Sequence, residues 1–111
     1  MACTIQRSFS QIPAGTVGTT AATAYRIPYR ASAGGLLFIN SLVTGTTITW
    51  HVCFDDGAST PVPLCDASGN ALTTPVVTGK AYAIPDAAYG AVQVCAVINA
   101  GTCTAQAVVK A

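Results

Sequence analysis

The sequence predicts an all-β protein, a single-domain antiparallel β-sandwich or jelly-roll-like barrel of about eight short strands. Apolar and polar residues alternate with a period of two along most of the chain. Turn residues interrupt this alternation at intervals of about ten residues, and no connection is long enough for a helical crossover between parallel strands. We assign residues 1–111 to one sandwich domain, because a chain of 111 residues has the length of a single domain.

Composition favours strands over helices. Charged residues make up 8% of the chain, where about 25% is usual for a soluble domain, and glutamate is absent. Thr, Val, Ala, Gly and Ser dominate instead, and these residues suit pleated strands joined by tight turns.

The charge pattern bears on partners. The net charge is +1 and the cationic residues are scattered, so the chain has no basic stripe and we expect no nucleic-acid partner. Weak self-repulsion favours association, and we therefore expect a homo-oligomer, either a dimer or a trimer.

The first strand is predicted in "CTIQRSF", and "IPAGT" ends it. Residues 1–11 are interpreted either as an N-terminal arm or as an ordinary edge strand. A second strand in "TAYRIPY" places Tyr25, Ile27 and Tyr29 on one face, and Pro28 predicts an edge position because proline cannot donate to a ladder.

Two strands follow in the middle of the chain. "LLFINSLV" is apolar on both faces and is predicted to be a central strand. "TTITWHVCF" alternates, which directs one set of residues inward and the other outward. The inward set is Ile48, Trp50, Val52 and Phe54, and the outward set is Thr47, Thr49, His51 and Cys53.

The second half of the chain alternates between turns and short strands. Turns are predicted at "DDGAST" and "ASGN", with the extended segment "PVPLCD" between them. Strands are predicted in "ALTTPVV", "KAYAIP" and "AVQVCAVI", and "DAAYG" is predicted to form one helical turn. The final "AQAVVKA" is predicted to pair after the "NAGT" turn.

The opening of the chain lacks an apolar core of signal-peptide length, which predicts synthesis and folding in the cytoplasm. A mature secreted chain with a new initiator Met would look the same. Residues 87–109 are uncharged over the length of a membrane span, but Gln93, Asn99 and other polar residues interrupt them, so we expect no membrane partner.

The five cysteines cannot all pair within one chain. We expect them to be small, buried, reduced residues, as in a cytosolic protein. The alternative is one or two bridges formed after release into an oxidising medium.

His51, Cys53 and Cys65 lie close together in the sequence and are candidates for a metal site or a catalytic site. The recognisable spacings of a zinc site are missing, and same-face neighbours on a strand are about 6.5 to 7 Å apart, too far for His51 to activate Cys53 directly. The aspartates fit turns, and no catalytic or phosphate-binding motif is present. We therefore expect no enzyme activity, no metal and no cofactor.

A sugar-binding platform is a separate alternative. The candidate aromatic residues are Tyr25, Tyr29, Tyr82 and Tyr89. Aromatic residues form 7% of the chain, however, which is no more than a core requires.

Three segments, "GLLFINSLV", "TITWHVCFDDGASTPVPLCDASGNAL" and "KAYAIPDAAYGAVQVCAVINAGTCTAQAVVKA", resemble small virion proteins of tailed bacteriophages, of the head-decoration or cement type. In that group a strand enters an Asp-Asp-Gly turn, an Asp-x-x-Gly turn follows, and a strand ending in Ile-Pro-Asp precedes a final hairpin around Ala-Gly-Thr. The chain departs from the pattern at Cys53, where a polar residue is usual, and in the prolines after "DDG".

The resemblance implies a capsid decoration protein that is made in the host cytoplasm, binds the major capsid protein and resides on the virion surface. Alternatives are a tail- or fibre-associated module, a secreted adhesin or pilin-like sandwich, and a sugar-binding module. Our candidate contact residues are Tyr25, Arg26, Tyr29, Arg30 and His51. The competing interpretation of these residues is an ordinary solvated strand face.

Overall fold

The computed structural model describes residues 9–29, 34–54, 60–88 and 91–110, and within them two antiparallel sheets pack face to face. The predicted all-β sandwich is therefore confirmed, with ten strands rather than about eight. In chain order they are β1 (Phe9–Gln11), β2 (Gly15–Val17), β3 (Tyr25–Pro28), β4 (Gly34–Leu42), β5 (Thr47–Cys53), β6 (Val62–Pro63), β7 (Thr73–Pro75), β8 (Ala81–Ala83), β9 (Gln93–Ile98) and β10 (Cys103–Lys110).

The first sheet has the order β1-β10-β4-β8, and β2 also pairs with β10. The second sheet has the order β3-β9-β5-β6, and β7 also pairs with β5. Every strand pair is antiparallel, as predicted. The last strand, β10, thus lies inside the first sheet, and β9 lies inside the second.

The inner faces of the two sheets form the core. Trp50 is fully buried at its centre, and its indole N–H donates to the hydroxyl oxygen of Thr74 at 2.9 Å. Small residues of β10 face the larger side chains of the second sheet, which lets the two layers approach closely. The largest fully buried side chains besides Trp50 are Ile27, Leu37, Ile39, Ile48 and Ile98.

The edge position predicted for the "TAYRIPY" strand is confirmed, because among the described strands β3 pairs with β9 alone. Tyr29 donates its backbone N–H to the carbonyl of Val92 at 2.9 Å, and alternate backbone groups of an antiparallel strand point in opposite directions. The nitrogen of Pro28 therefore points away from β9. Proline is tolerated here because no ladder bond is lost.

The start of the chain was predicted to form one strand in "CTIQRSF" that ends at "IPAGT". Most of the predicted strand in "CTIQRSF" lies outside the described residues, which begin at Phe9. As predicted, "IPAGT" ends the first strand, because β1 ends at Gln11, but Gly15 and Thr16 of this segment belong to a further strand, β2, that was not predicted. Strand β2 pairs with one end of β10 and β1 with the other.

Two predictions of burial in the middle strands, β4 and β5, are wrong. Strand β4 pairs on both sides, as predicted, but Leu36 and Phe38 on its outer face are 42% and 39% exposed, so it is not buried on both faces. Phe54, predicted to face inward, is 80% exposed. Its strand ends at Cys53, so the alternation that directs Ile48 and Trp50 inward no longer applies to Phe54.

The final strand pairs after the "NAGT" turn, as predicted, but the final hairpin around Ala-Gly-Thr that the resemblance implies does not form. Strand β9 belongs to the second sheet and β10 to the first, so residues 99–102 cross from one sheet to the other. Gly101 has φ of +71° within this crossing, a conformation that favours glycine. The strong apolar character of both strands follows from their interior positions in two different sheets.

Local turns follow the sequence signals where they are described. The Asp66 carboxylate accepts hydrogen bonds from the backbone N–H groups of Ser68 and Asn70 at 2.8 and 3.0 Å, which fixes the predicted "ASGN" turn. Asp86–Ala88 forms the predicted helical turn, as one turn of 3-10 helix. Most of the "DDGAST" turn lies outside the described residues.

In the part of the chain that the structure describes, no helix has the length and apolar character needed to span a membrane.

Candidate functional site

The outer face of the second sheet carries a group of polar strand residues, and we call it the polar face. It is built by Arg26 on β3, Gln93 on β9, and Thr47, Thr49 and His51 on β5. The strand register aligns these residues in cross-strand rows, with Arg26, Cys95 and His51 in one row. Because all lie on regular strands, the backbone fixes their relative positions.

Arg26 is held in place rather than extended into solvent. Its guanidinium donates to the side-chain carbonyl of Gln93 at 3.0 Å and contacts the sulfur of Cys53 at 3.5 Å. The residue is half-buried. Arg26 therefore presents a preorganised cationic group at the β3 side of the polar face.

His51 lies beside Cys95 in the strand register, with Pro63 of β6 on its other side. Its Nδ1 atom is 3.4 Å from the carbonyl oxygen of Thr49, and the side chain is half-buried. The predicted position of His51 on a threonine-rich outer face is thus confirmed. Sequence alone did not identify Cys95 as its neighbour, because the pairing of β5 with β9 is a tertiary feature.

The pairing of His51 with Cys95 raises the question of a cysteine nucleophile. Cys95 is fully buried. Burial, together with the neighbouring Cys53 thiol, raises the pKa of Cys95 to about 12. The thiolate is the nucleophilic form, so a thiol with this pKa is unreactive at neutral pH. Cys95 is therefore a packing residue in the second sheet.

The remaining described cysteines divide by burial. Cys53 and Cys103 are buried, as predicted, and burial raises the pKa of the Cys103 thiol. Cys65 is exposed, which corrects the prediction of burial for that residue. It sits at an isolated bridge with Ala71, next to a turn, where only one side of the chain is covered. Cys3 lies outside the described residues.

Tyr25 and Tyr29 are core residues. They share one face with Ile27, as predicted, and are 6% and 4% exposed. Burial raises the pKa of both phenols. Neither ring offers an exposed surface to a partner, so we do not retain these two tyrosines in the candidate contact surface. Arg30, the remaining candidate on this segment, lies outside the described residues.

The described residues also bear on metal binding and sugar binding. No group of three or more His, Cys, Asp or Glu side chains that could hold a metal ion occurs among the described residues. For sugar binding, Tyr25 and Tyr29 are buried and Tyr82 is half-buried, with its hydroxyl accepting the backbone N–H of Val77 at 2.8 Å. Tyr89 lies outside the described residues.

One open apolar cavity of about 270 Å³ lies where β5 and β6 end. Phe54 stands at it with Val62 and Leu64, and Ala87 and Ala91 close the other side. The described residues of the lining are apolar and supply none of the convergent polar groups that orient a small ligand.

The outer face of the first sheet carries both apolar and polar residues. In one cross-strand row Leu36 of β4 lies between Val108 of β10 and Ala83 of β8, and Gln11 of β1 continues the row. In the next row Phe38 lies between Gln106 and Ala81. Exposed apolar side chains therefore share this face with amide side chains.

Comparison with known proteins gives no assignment. No family model, no curated protein and no solved structure matches this chain.

Proposed function

We propose that the protein is a capsid decoration or cement protein of a tailed bacteriophage. In this proposal it is made in the host cytoplasm, forms a small homo-oligomer, binds the major capsid protein at the outer capsid surface and stabilises junctions between capsomers. The family in this proposal comes from the sequence resemblance, and the proposed attachment surface is the polar face.

The observation that carries the proposal is the rigid, nearly uncharged polar face. Thr47 and Thr49 present hydroxyl groups on a strand that is paired on both sides, and Arg26 is preorganised by Gln93. Such a surface binds another protein through many neutral hydrogen bonds with little loss of side-chain entropy. Arg26 and His51 are the two predicted contact residues that the polar face retains.

The mechanism needs binding energy alone. Each attached copy would bury part of the polar face across a junction between capsid subunits. Because ligands that bind only the assembled state stabilise that state, many copies together would oppose disassembly under internal DNA pressure. With a net charge of +1, attachment should depend only weakly on salt.

The first experiment is to count copies per particle by quantitative mass spectrometry of purified virions, referenced to the major capsid subunit. Hundreds of copies are expected. A handful would indicate a tail or fibre component instead, and complete absence would overturn the virion proposal and favour the secreted or sugar-binding alternatives.

The polar face is then tested with variants in a particle-binding assay. Arg26→Ala and His51→Ala should each weaken attachment, while Lys80→Ala should not, because Lys80 is an exposed cation beside the first sheet. Thermal unfolding of each variant checks that folding is retained. Full attachment of both polar-face variants would remove this surface from the proposal.

A further inference from the structure

Two cysteines lie side by side on the outer face of the second sheet, in its two central strands β5 and β9. In the register of these strands Cys53 pairs with Gln93 and Cys95 pairs with His51, so the two cysteines are diagonal neighbours on one face. A side-chain hydrogen bond joins their thiols. Two sulfur atoms that are far apart in the sequence are therefore in contact in the fold.

Arg26 places a positive charge at this pair. It lies beside Cys95 in the register of β3 and β9, and its guanidinium contacts the sulfur of Cys53 at 3.5 Å. A hydrogen bond to the side-chain carbonyl of Gln93 at 3.0 Å holds the guanidinium in place. The cation attracts the negative charge that a cysteine sulfur carries as a thiolate, which is the form that attacks an oxidant. Cys53 is therefore positioned to react first.

The environment of Cys95 suits the second partner. Burial, then the charge of Cys53 and the hydrogen bond to Cys53, raise the pKa of Cys95 to about 12. Cys95 thus keeps its proton at neutral pH and is a packing residue in the reduced protein. Oxidation of Cys53 removes the charge of that residue, and Cys95 then loses one of the causes that made it unreactive.

Access to the pair is limited to small reagents. Cys53 is 3% exposed, but it belongs to the lining of the open cavity at the end of β5. A molecule of the size of hydrogen peroxide can enter a cavity of about 270 Å³ and reach this residue.

The diagonal placement predicts a bond that is easily reduced. The Cα atoms of diagonal neighbours are about 7 Å apart, at the upper end of the separation that a disulfide spans. The twist of a sheet brings the side chains of one diagonal together, which agrees with the contact between these thiols. Closing the bond still draws β5 and β9 slightly together, and a disulfide formed under strain is more reducible than a relaxed one.

We propose that Cys53 and Cys95 form a reversible intrachain disulfide when the protein meets a hydroperoxide. The Cys53 sulfur attacks one oxygen of hydrogen peroxide, the O–O bond breaks and water leaves, so Cys53 becomes a sulfenic acid. The Cys95 sulfur then attacks the Cys53 sulfur, the S–O bond breaks, and the hydroxyl group leaves as water with the Cys95 proton. Two thiols thus lose two electrons, and the peroxide is reduced to two water molecules.

The proposal assigns one specific pair to the bridges that the sequence leaves open. Cytoplasmic reductants keep thiols reduced, so the bond is expected only after release of the protein into an oxidising medium. Cys103 lies in the first sheet and Cys65 is exposed at its bridge with Ala71, so neither shares the position of this pair. The inference concerns the isolated protein and does not depend on capsid attachment.

The test begins with reduced, folded protein from which the reductant has been removed. After treatment with equimolar hydrogen peroxide and denaturation, two of the five thiols should be lost, and dithiothreitol should restore both. Trypsin cleaves after Arg30, Lys80 and Lys110, so mass spectrometry without reduction should show residues 31–80 linked to residues 81–110. Five thiols after the treatment, or a link between other peptides, would overturn the proposal.

Single substitutions identify the two sulfurs within these peptides. Cys53→Ser and Cys95→Ser should each abolish the link. The matched controls Cys65→Ser and Cys103→Ala change the other cysteine of each peptide and should leave the link intact. Thermal unfolding checks that each variant is folded, and if Cys95→Ser fails to fold, Cys53→Ser and its control decide. A link that survives Cys53→Ser, or that is lost in Cys65→Ser, would contradict the assignment to this pair.

Discussion

The phenolic oxygen of Tyr25 accepts a hydrogen bond from the backbone N–H of Ala107 at 3.1 Å. The same hydroxyl donates to the carbonyl of Pro13 at 2.8 Å. Tyr25 belongs to β3 in the second sheet, and Ala107 belongs to β10 in the first. One side-chain hydroxyl therefore connects the two layers and satisfies a backbone group inside the core.

Tyr25→Phe should destabilise the protein by about 1–3 kcal/mol, because the buried N–H of Ala107 loses its acceptor. Urea denaturation followed by tryptophan fluorescence measures the change. Tyr29→Phe is the matched control, since no hydrogen bond of the Tyr29 hydroxyl occurs within the described residues, and it should be nearly neutral. Equal effects of the two variants would contradict this role of the Tyr25 hydroxyl.

Thr74→Val should also cost about 1–3 kcal/mol, because it leaves the indole N–H of the fully buried Trp50 without its acceptor at 2.9 Å. Thr73→Val, at the exposed neighbouring position of β7, supplies the control. The free energy of unfolding is compared for both variants under identical conditions. A Thr74→Val protein with the same free energy of unfolding as the control would mean that the Trp50 indole N–H has another acceptor.

Alkaline pH should destabilise the protein. The pKa of Cys95 is raised from 9.0 to about 12 in the fold, so the unfolded chain releases this proton first as the pH rises. The contribution of the protonated thiol is complete below about pH 9 and is lost as the pH approaches about 12. Raised pKa values of Tyr25 and Tyr29 act in the same direction.

The free energy of unfolding, measured at several pH values from neutral to alkaline, should therefore fall above about pH 9. Cys95→Ala should reduce this slope, and Cys65→Ala, which changes an exposed cysteine, should leave it as in the wild type. A slope unaffected by Cys95→Ala would show that other groups account for the alkaline loss.

Thiol labelling should separate the cysteines by position. At neutral pH a maleimide reagent should modify the exposed Cys65 rapidly, while Cys53, Cys95 and Cys103 react only on unfolding. Peptide mapping by mass spectrometry identifies each site. Five reactive thiols after denaturation agree with cytoplasmic folding, whereas three or one would indicate bridges and favour a secreted protein.

Gly45→Ala should destabilise the protein by about 1–3 kcal/mol, because the new methyl group would lie 2.6 Å from the carbonyl oxygen of Ala100 and would overlap Ile98. Gly34→Ala is the control, since a Cβ atom at that position meets no atom of the described residues within 4 Å. Differential scanning calorimetry compares the two. A Gly45→Ala protein as stable as the control would mean that the turn shifts to accept the methyl group.

Period-two alternation was sufficient to predict the fold class and most strands. Ile48 and Trp50 point into the core, as alternation required, and Pro28 correctly placed β3 at an edge. These are local signals, since each depends on the backbone geometry of one strand. The short strand β2 was missed because Pro13 and Gly15 are also the residues of a turn.

The errors arose where tertiary pairing decides the outcome. Nothing in residues 99–102 distinguishes a hairpin turn from a crossing between sheets, so the separation of β9 from β10 could not be predicted. The same limit applies to the candidate contacts. Tyr25 and Arg26 are adjacent in sequence, yet one lies in the core and the other on the polar face, and only the packing of the second sheet shows which side is covered.

The position of β10 has a consequence for synthesis. This strand pairs with β1, β2 and β4, so three segments made early must wait for residues 103–110 to leave the ribosome before the first sheet can close. Pairings between distant parts of a chain form slowly, and until they form the waiting strand edges can pair with other chains. The nascent chain is therefore prone to aggregation until β10 is inserted into the first sheet.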